Sequence, residues 1–211
     1  INLNEKSFVD ADFWRKMVKN KINSFGGVPY NYQIIDKLNL EKFDLSNLRY
    51  STLAGGKLNN QILSRIIKKY KKLKLQLISM YGASEATARM SYLNWNKAKK
   101  KIGSIGKPIE GGKFFIKDID GKIITKPNIE GELVYKGRNV CMGYAEKKED
   151  LNLPDINQGL LNTGDIGFKD KDGFYFVIGR KDRIIKIFGN RINLNDIDDL
   201  SFKYGFETLS A

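Results

Sequence analysis

Three consecutive stretches decide the fold: Leu48-Arg49-Tyr50-Ser51-Thr52-Leu53-Ala54-Gly55-Gly56, a helix-periodic run ending at Leu73, and Leu75-Gln76-Leu77-Ile78-Ser79-Met80-Tyr81-Gly82-Ala83-Ser84-Glu85. Leu48 to Leu53 and Leu75 to Met80 read as strands. Between them Ile62, Leu63, Ile66, Ile67, Tyr70 and Leu73 recur at helical spacing, with Arg65, Lys68, Lys69, Lys71 and Lys72 mostly on the other, wet face. A strand, a helix and a strand in that order predict two parallel strands joined by a right-handed crossover. Parallel pairing puts both strand C-termini at one edge. Gly55-Gly56 and the loop from Tyr81 to Glu85 are therefore expected side by side, in the crevice where open α/β sheets take ligands. The glycines allow close approach of a flat or phosphorylated group. An aromatic, a hydroxyl and a carboxylate on the neighbouring loop suit a base, a phosphate and a metal.

Upstream, Phe13, Trp14, Met17 and Val18 share one face of a helix predicted over residues 11–20. A short strand is expected from Ile22 to Phe25, then a breaker at Gly26-Gly27-Val28-Pro29 and a helix from Tyr30 to Leu38. From about Ile102 the pattern changes to short strands and tight turns. Lys113 to Lys117 and Lys122 to Thr125 flank Asp118-Ile119-Asp120-Gly121, a hairpin signal, and Gly131 to Tyr135 is a further strand. The expected fold class is α/β (α+β overall): a parallel strand–helix–strand piece, then an antiparallel, barrel-like β subdomain. The segments are 1–98, 99–179 and 180–211.

Composition narrows the chemistry. The 41% hydrophobic content supports a folded core across 211 residues. No apolar run approaches the length of a membrane span, and the start has no signal-peptide pattern, so the chain reads as a soluble, cytoplasmic protein. Histidine is absent, which excludes imidazole-based nucleophile activation and histidine-built zinc sites. The one cysteine, Cys141, excludes an internal disulfide and reads as a packing residue. The net charge of +13 gathers in lysines 68–74 and 97–101. Few of these alternate with aromatics as a nucleic-acid platform needs, so no nucleic-acid partner is expected.

A second stretch, Gly159 to Asn190, carries an acid and an arginine. Phe174 to Ile178 is a strand expected to connect an acidic loop, Thr163-Gly164-Asp165, to a basic loop, Gly179-Arg180-Lys181-Asp182. Asp170-Lys171-Asp172-Gly173 turns the hairpin between them. Arg183 to Phe188 is the next strand, with a turn at Gly189-Asn190. Asn193 or Asn195 caps a short helix through about Tyr204, Gly205 stops it, and Phe206 to Ser210 starts another strand.

Together these motifs resemble the adenylate-forming superfamily, on the side of its acyl-CoA synthetases. Tyr81-Gly82-Ala83-Ser84-Glu85 is similar to its Tyr-Gly-x-Thr/Ser-Glu motif. Gly131-Glu132-Leu133 through Gly137, Val140 and Gly143-Tyr144 is similar to its Gly-Glu-Leu…Gly-Tyr segment. Thr163-Gly164-Asp165 matches its Thr-Gly-Asp motif, and Gly179-Arg180-Lys181-Asp182 through Lys186 and Gly189 its interdomain hinge. Phe43-Asp44-Leu45-Ser46-Asn47-Leu48-Arg49 before Gly55-Gly56, Gly26-Gly27-Val28-Pro29-Tyr30 and Gly103-Ser104-Ile105-Gly106-Lys107-Pro108 fit as well. The segment from Asp44 to Gly56 favours the acyl-CoA synthetases over amino-acid adenylation enzymes.

The resemblance implies an ATP-dependent ligase. A small carboxylic acid attacks the α-phosphate of ATP, and a thiol of coenzyme A or of phosphopantetheine on an acyl carrier protein then takes the acyl group and releases AMP. It implies that Tyr81 stacks on adenine beside Gly55, Gly56 and Gly82, that Ser84 contacts the α-phosphate, and that Glu85 helps hold Mg²⁺. Asp165 accepts the ribose hydroxyls, Arg180 donates to the same ribose, Asp182 is the hinge, and Lys186 is presented in thiol transfer. Without the resemblance, Glu85 is as well read as a solvated acid and Asp165 as a turn cap. Arg180 with Asp182 then reads as a surface ion pair, and Lys186 as an exposed strand lysine. The superfamily's phosphate loop and its C-terminal catalytic lysine have no counterpart in these 211 residues. The expectation is a fragment of a longer enzyme, inactive in isolation, with a non-catalytic AMP half-site as the alternative.

Overall fold

A computed structural model describes residues 8–187, 190–194, 197, 200–201 and 204, with backbone alone for 184–187 and 190–193. The chain forms two compact units: residues up to Tyr81 with 92–106, and residues 82–91 with 107 onward.

In the first unit, α1 (Ala11–Lys19) is followed by β1 (Ser24–Gly27), α2 (Pro29–Lys37), β2 (Tyr50–Leu53), α3 (Asn60–Lys72) and β3 (Gln76–Tyr81). Then come β4 (Ser91–Leu93), α4 (Trp95–Ala98) and β5 (Ser104–Pro108), and the strand order is β1-β2-β3-β4-β5. The predicted parallel pair is present, with Leu53 opposite Ser79, and β1 adds a further parallel strand with Gly27 opposite Leu53. The glycines at 26–27 thus lie inside a strand, not in a breaker. Their smallness serves close packing: a Cβ on Gly27 would stand 2.9 Å from the Tyr32 ring, and one on Gly26 3.3 Å from Thr52 Oγ1. The break falls at Val28-Pro29, where proline's fixed φ and missing N–H suit the first turn of α2.

α3 buries Ile62, Leu63, Ile66, Ile67 and Tyr70, the face read from the sequence. Its basic residues are not all idle on the wet side. Arg65 makes a forked pair with Asp36, at 2.6 Å from Nη2 to Oδ2 and 2.9 Å from Nε to Oδ2. Lys69 Nζ donates to the carbonyls of Ile35, Asp36 and Leu38 at 2.8, 2.8 and 2.6 Å. Those carbonyls end α2, so the ammonium acts as its C-terminal cap. Beneath the helices the Tyr32 hydroxyl donates to the Thr52 carbonyl at 2.9 Å and lies 2.8 Å from Ser51 Oγ, which is 3.1 Å from the Tyr70 hydroxyl. Three buried hydroxyls satisfy one another, and α2 and α3 are pinned to β2.

The second unit holds β6 (Lys113–Lys117), β7 (Gly131–Lys136), β8 (Leu160–Lys169) and β9 (Tyr175–Arg180), in the antiparallel order β6-β7-β8-β9. The expected antiparallel β subdomain is there, but as an open meander and not a barrel, since β6 and β9 are at opposite ends of that order and do not pair. The hairpin after β6 turns at Gly121, φ +79°, but its return arm makes only one bridge, Lys117 with Ile123. Asp170 builds the β8–β9 turn: its Oδ1 accepts from the N–H groups of Asp172 and Phe174, both at 2.9 Å. Phe114, Tyr135 and Tyr175 form an aromatic core, with ring centroids 5.1 to 5.2 Å apart for the Phe114 pairs.

β10 (Ile184–Ile187) and β11 (Asn190–Asn193) form a separate antiparallel pair, and residues 194, 197, 200 and 201 are helical. The expectations for Phe188, Gly189, Asn195, Gly205 and Phe206 to Ser210 lie outside the described residues.

Candidate functional site

In the first unit the site residues stand at the C-terminal edge of the parallel strands, where the strand–helix–strand reading placed them. Gly55 follows β2 with φ +82°, a left-handed conformation that favours glycine. A Cβ there would meet Val28 at 3.3 Å, and one on Gly56 would meet Pro29 at 3.2 Å. Tyr81 is the last residue of β3 and is partly exposed.

In the second unit, residues 82–90 form a tight loop. Ser84–Ala86 is a single 3-10 turn, and the Ala83 carbonyl accepts from the N–H groups of Ala86 and Ala88, both at 3.0 Å. Thr87 and Ala88 follow at φ +52° and +60°. This turn folds the Ala88 carbonyl back onto Gly82, where any Cβ would collide with backbone. Gly82 is thus fixed by close approach.

The loop of residues 139–144 grips this turn. Asn139 Nδ2 donates to the carbonyls of Ala86 and Arg89 at 2.7 and 3.1 Å, and its Oδ1 accepts from the Tyr135 hydroxyl at 2.9 Å. The Cys141 N–H donates to the Glu85 carbonyl at 2.7 Å, and the Tyr144 hydroxyl donates to Glu85 Oε1. That phenol bond, with the Glu85 backbone N–H and the nearby Arg180 charge, holds the Glu85 carboxyl below the usual carboxylate range. The same bond pushes the Tyr144 phenol up. Ser84 is exposed beside Glu85.

Asp165 and Arg180 meet across two paired strands, not across two loops. Thr163-Gly164-Asp165 lies within the ten residues of β8, and Asp165 is directly opposite Arg180, the last residue of β9. Three polar residues around a glycine read as a loop; the φ of +71° at Gly164 and the register shift at Ile166/Gly167 keep them in a bulged strand. Thr163 Oγ1 donates to the Leu133 carbonyl at 2.7 Å and accepts from the Asp165 N–H at 3.1 Å. Arg180 Nη1 lies 3.6 Å from Asp165 Oδ1 and donates to the Thr163 carbonyl at 3.3 Å. The Asp165 side chain is 12% exposed, whereas that of Arg180 is 55% exposed.

At the expected hinge, residues 181–183 form a 3-10 turn. Asp182 is exposed there, with Oδ1 3.7 Å from Arg180 Nε, and Lys181 Nζ pairs with Glu132 at 2.9 Å. Lys186 lies in β10 opposite Arg191; its side chain is outside the described residues. Arg180 thus faces both Asp165 and Asp182, and its charge acts on Glu85. Sequence reasoning assigned no role to Asn139 or Tyr144. Gly143-Tyr144 belongs to a quoted motif, but an exposed tyrosine after a glycine carries no periodic signal that names its partner.

One unit is a parallel α/β unit with glycines at its strand ends; the other is antiparallel and holds an acid–arginine pair and a clamped glutamate. The family model of AMP-binding enzymes matches residues 3–145, and the chain belongs to that family. It is 32% identical over 167 residues to the 2-succinylbenzoate–CoA ligase of Bacillus cytotoxicus, covering 79% of this chain and 33% of that protein. Against the 2-succinylbenzoate–CoA ligase of Bacillus cereus the identity is 30% over 193 residues, covering 90% and 38%. The chain thus spans 33% to 38% of the length of these curated relatives. Among solved structures, O-succinylbenzoate coenzyme A synthetase (MenE) of Bacillus subtilis, in complex with ATP and magnesium ion, matches with TM-score 0.76 and 21% identity over 92% of this chain and 39% of that one. The amide bond synthetase McbA of Marinactinospora thermotolerans gives the same TM-score at 20% identity, over 92% and 38%. At these identities the structural likeness shows the fold.

Proposed function

We propose that the whole protein is an AMP-forming carboxylate–thiol ligase. The observation that carries this reading is Asp165, a nearly buried acid held opposite Arg180, whose charge also acts on Glu85, in a chain of the AMP-binding enzyme family. Its chemistry has two steps. A carboxylate oxygen bonds to the α-phosphorus of ATP and pyrophosphate leaves. A thiol sulfur then bonds to the acyl carbon, the carbon–oxygen bond to phosphate breaks, and AMP leaves.

Roles follow residue by residue. In the first unit Gly55 and Gly56 admit the nucleotide's flat base and Tyr81 stacks on it. In the second, Ser84 hydrogen-bonds the α-phosphate, Asp165 accepts from the ribose hydroxyls and Arg180 donates to the ribose. Asp182 is the hinge at the start of a C-terminal segment, 180–211, and Lys186 serves thiol transfer. Glu85 offers an ionised carboxylate to Mg²⁺. Among the described residues no group of three His, Cys, Asp or Glu side chains could hold a metal. One carboxylate plus substrate phosphates is a donor set that fits Mg²⁺. When bound, the ion would neutralise phosphate charge.

Relatives named as CoA ligases favour coenzyme A over phosphopantetheine as the acceptor, and a succinylbenzoate-like aromatic acid as the substrate class. Among the described residues no helix is long and apolar enough to cross a membrane. The test is acid-dependent exchange of labelled pyrophosphate into ATP by the full-length protein, with 2-succinylbenzoate as first candidate. Exchange without any acid, or none with a panel of aromatic and aliphatic acids, would overturn the reading.

A further inference from the structure

The loop of residues 139–144 makes four hydrogen bonds to the 82–90 loop, and two of them take Glu85 by both ends. The Cys141 N–H holds its carbonyl at 2.7 Å, and the Tyr144 hydroxyl holds its carboxylate. Asn139 fixes the next turn through Ala86 and Arg89. The gripping loop is itself anchored: Asn157 Nδ2 donates to the Cys141 carbonyl at 2.8 Å, and the Ile156 N–H to the Met142 carbonyl at 3.0 Å. Tyr144 is 72% exposed, so its ring contributes little to a core. A large exposed phenol whose hydrogen bond reaches across 59 residues to one carboxylate is placed for that carboxylate.

We propose that Tyr144 is a positioning residue for Glu85: its hydroxyl fixes the carboxylate in one rotamer, so that a divalent cation carried in with the nucleotide meets an oxygen already in place. The inference rests on the reading of Glu85 as a metal-holding group. A free glutamate side chain loses rotamer entropy when it ligates; a clamped one has lost it on folding. Outer hydrogen bonds of this kind are worth roughly 10-fold or more in metal affinity. Asn139 and Cys141 set the backbone from which the side chain springs, and Tyr144 sets its end.

The experiment is Mn²⁺ binding to the full-length protein in the presence of a non-hydrolysable ATP analogue, read by water-proton relaxation enhancement. Tyr144→Phe is expected to weaken Mn²⁺ about 10-fold, while metal-free AMP affinity and the unfolding midpoint stay close to those of the parent. Tyr144→Gln, which keeps a donor but no ring, is expected to recover part of the loss; a purely structural aromatic would not be rescued. Unchanged Mn²⁺ affinity in Tyr144→Phe overturns the inference, as does equal loss of metal-free AMP binding. Glu85→Ala separates the two levels. If that variant binds Mn²⁺ with the analogue as the parent does, the metal reading of Glu85 fails, whatever Tyr144 does.

Discussion

An aspartate whose side chain is 12% exposed and faces an arginine at 3.6 Å is held, not solvated. Asp165 therefore presents its oxygens in a set direction, which suits a pair of vicinal hydroxyls better than a mobile surface acid would. Replacing it with alanine should raise the KM for ATP roughly 10-fold or more, a loss on the scale of one or two charge-assisted hydrogen bonds. It should also narrow the preference for ATP over 2′-deoxy-ATP. Kinetics with both nucleotides check this, and an unchanged preference in Asp165→Ala would remove Asp165 from the ribose. The sequence places the acid and the arginine on either side of one hairpin, and the structure sets them opposite one another. Their setting was not legible. The sequence around Gly164 is polar enough to read as a loop, and only backbone pairing shows it to be a strand with a bulge. Tyr144 was illegible for a different reason, since a contact across 59 residues leaves no mark on local pattern.

At the scale of elements, α3 was the most readable part, because an amphipathic helix must show one dry and one wet face at a fixed period. What periodicity could not reveal is that Lys69 leaves the wet face to cap α2. Lys69→Met should cost about 1–3 kcal/mol in urea unfolding, since three carbonyls lose a charged donor and only that of Ile35 keeps another, the Leu38 N–H. Lys68→Met, on the exposed side of the same helix, should stay within about 0.5 kcal/mol. Equal effects at the two positions would mean that Lys69 is no cap. Gly82 offers a test of the 82–90 loop. A methyl group there meets the Ala88 carbonyl, so Gly82→Ala should destabilise by about 1–3 kcal/mol or shift the loop and lower activity. A variant with parental stability and parental exchange rate would show that the Thr87-Ala88 turn is not fixed. Gly27 shows the limit of reading glycine as a breaker: packing against the Tyr32 ring leaves no room for a Cβ there.

For the whole molecule, composition excluded more than it identified. These 211 residues hold no histidine, so none of them supplies an imidazole. What remains is charge: carboxylates, an arginine, lysines and hydroxyls, the means for moving phosphates and holding ribose. The change at about residue 100 from helical to short-strand pattern follows the chemistry of the two units, one built on parallel strands and one on an antiparallel meander. The units interleave, since residues 82–91 belong with the later one; no composition shift marks that exchange, because the segment is a loop held by hydrogen bonds. The most direct measurement of the central claim is acid-dependent ATP–pyrophosphate exchange by the full-length protein, beside its Glu85→Ala and Asp165→Ala forms. The account predicts exchange that needs both the acid and Mg²⁺ and falls at least about 100-fold in Glu85→Ala, the scale of losing a transition-state charge contact. Exchange at the parental rate in both variants would contradict it.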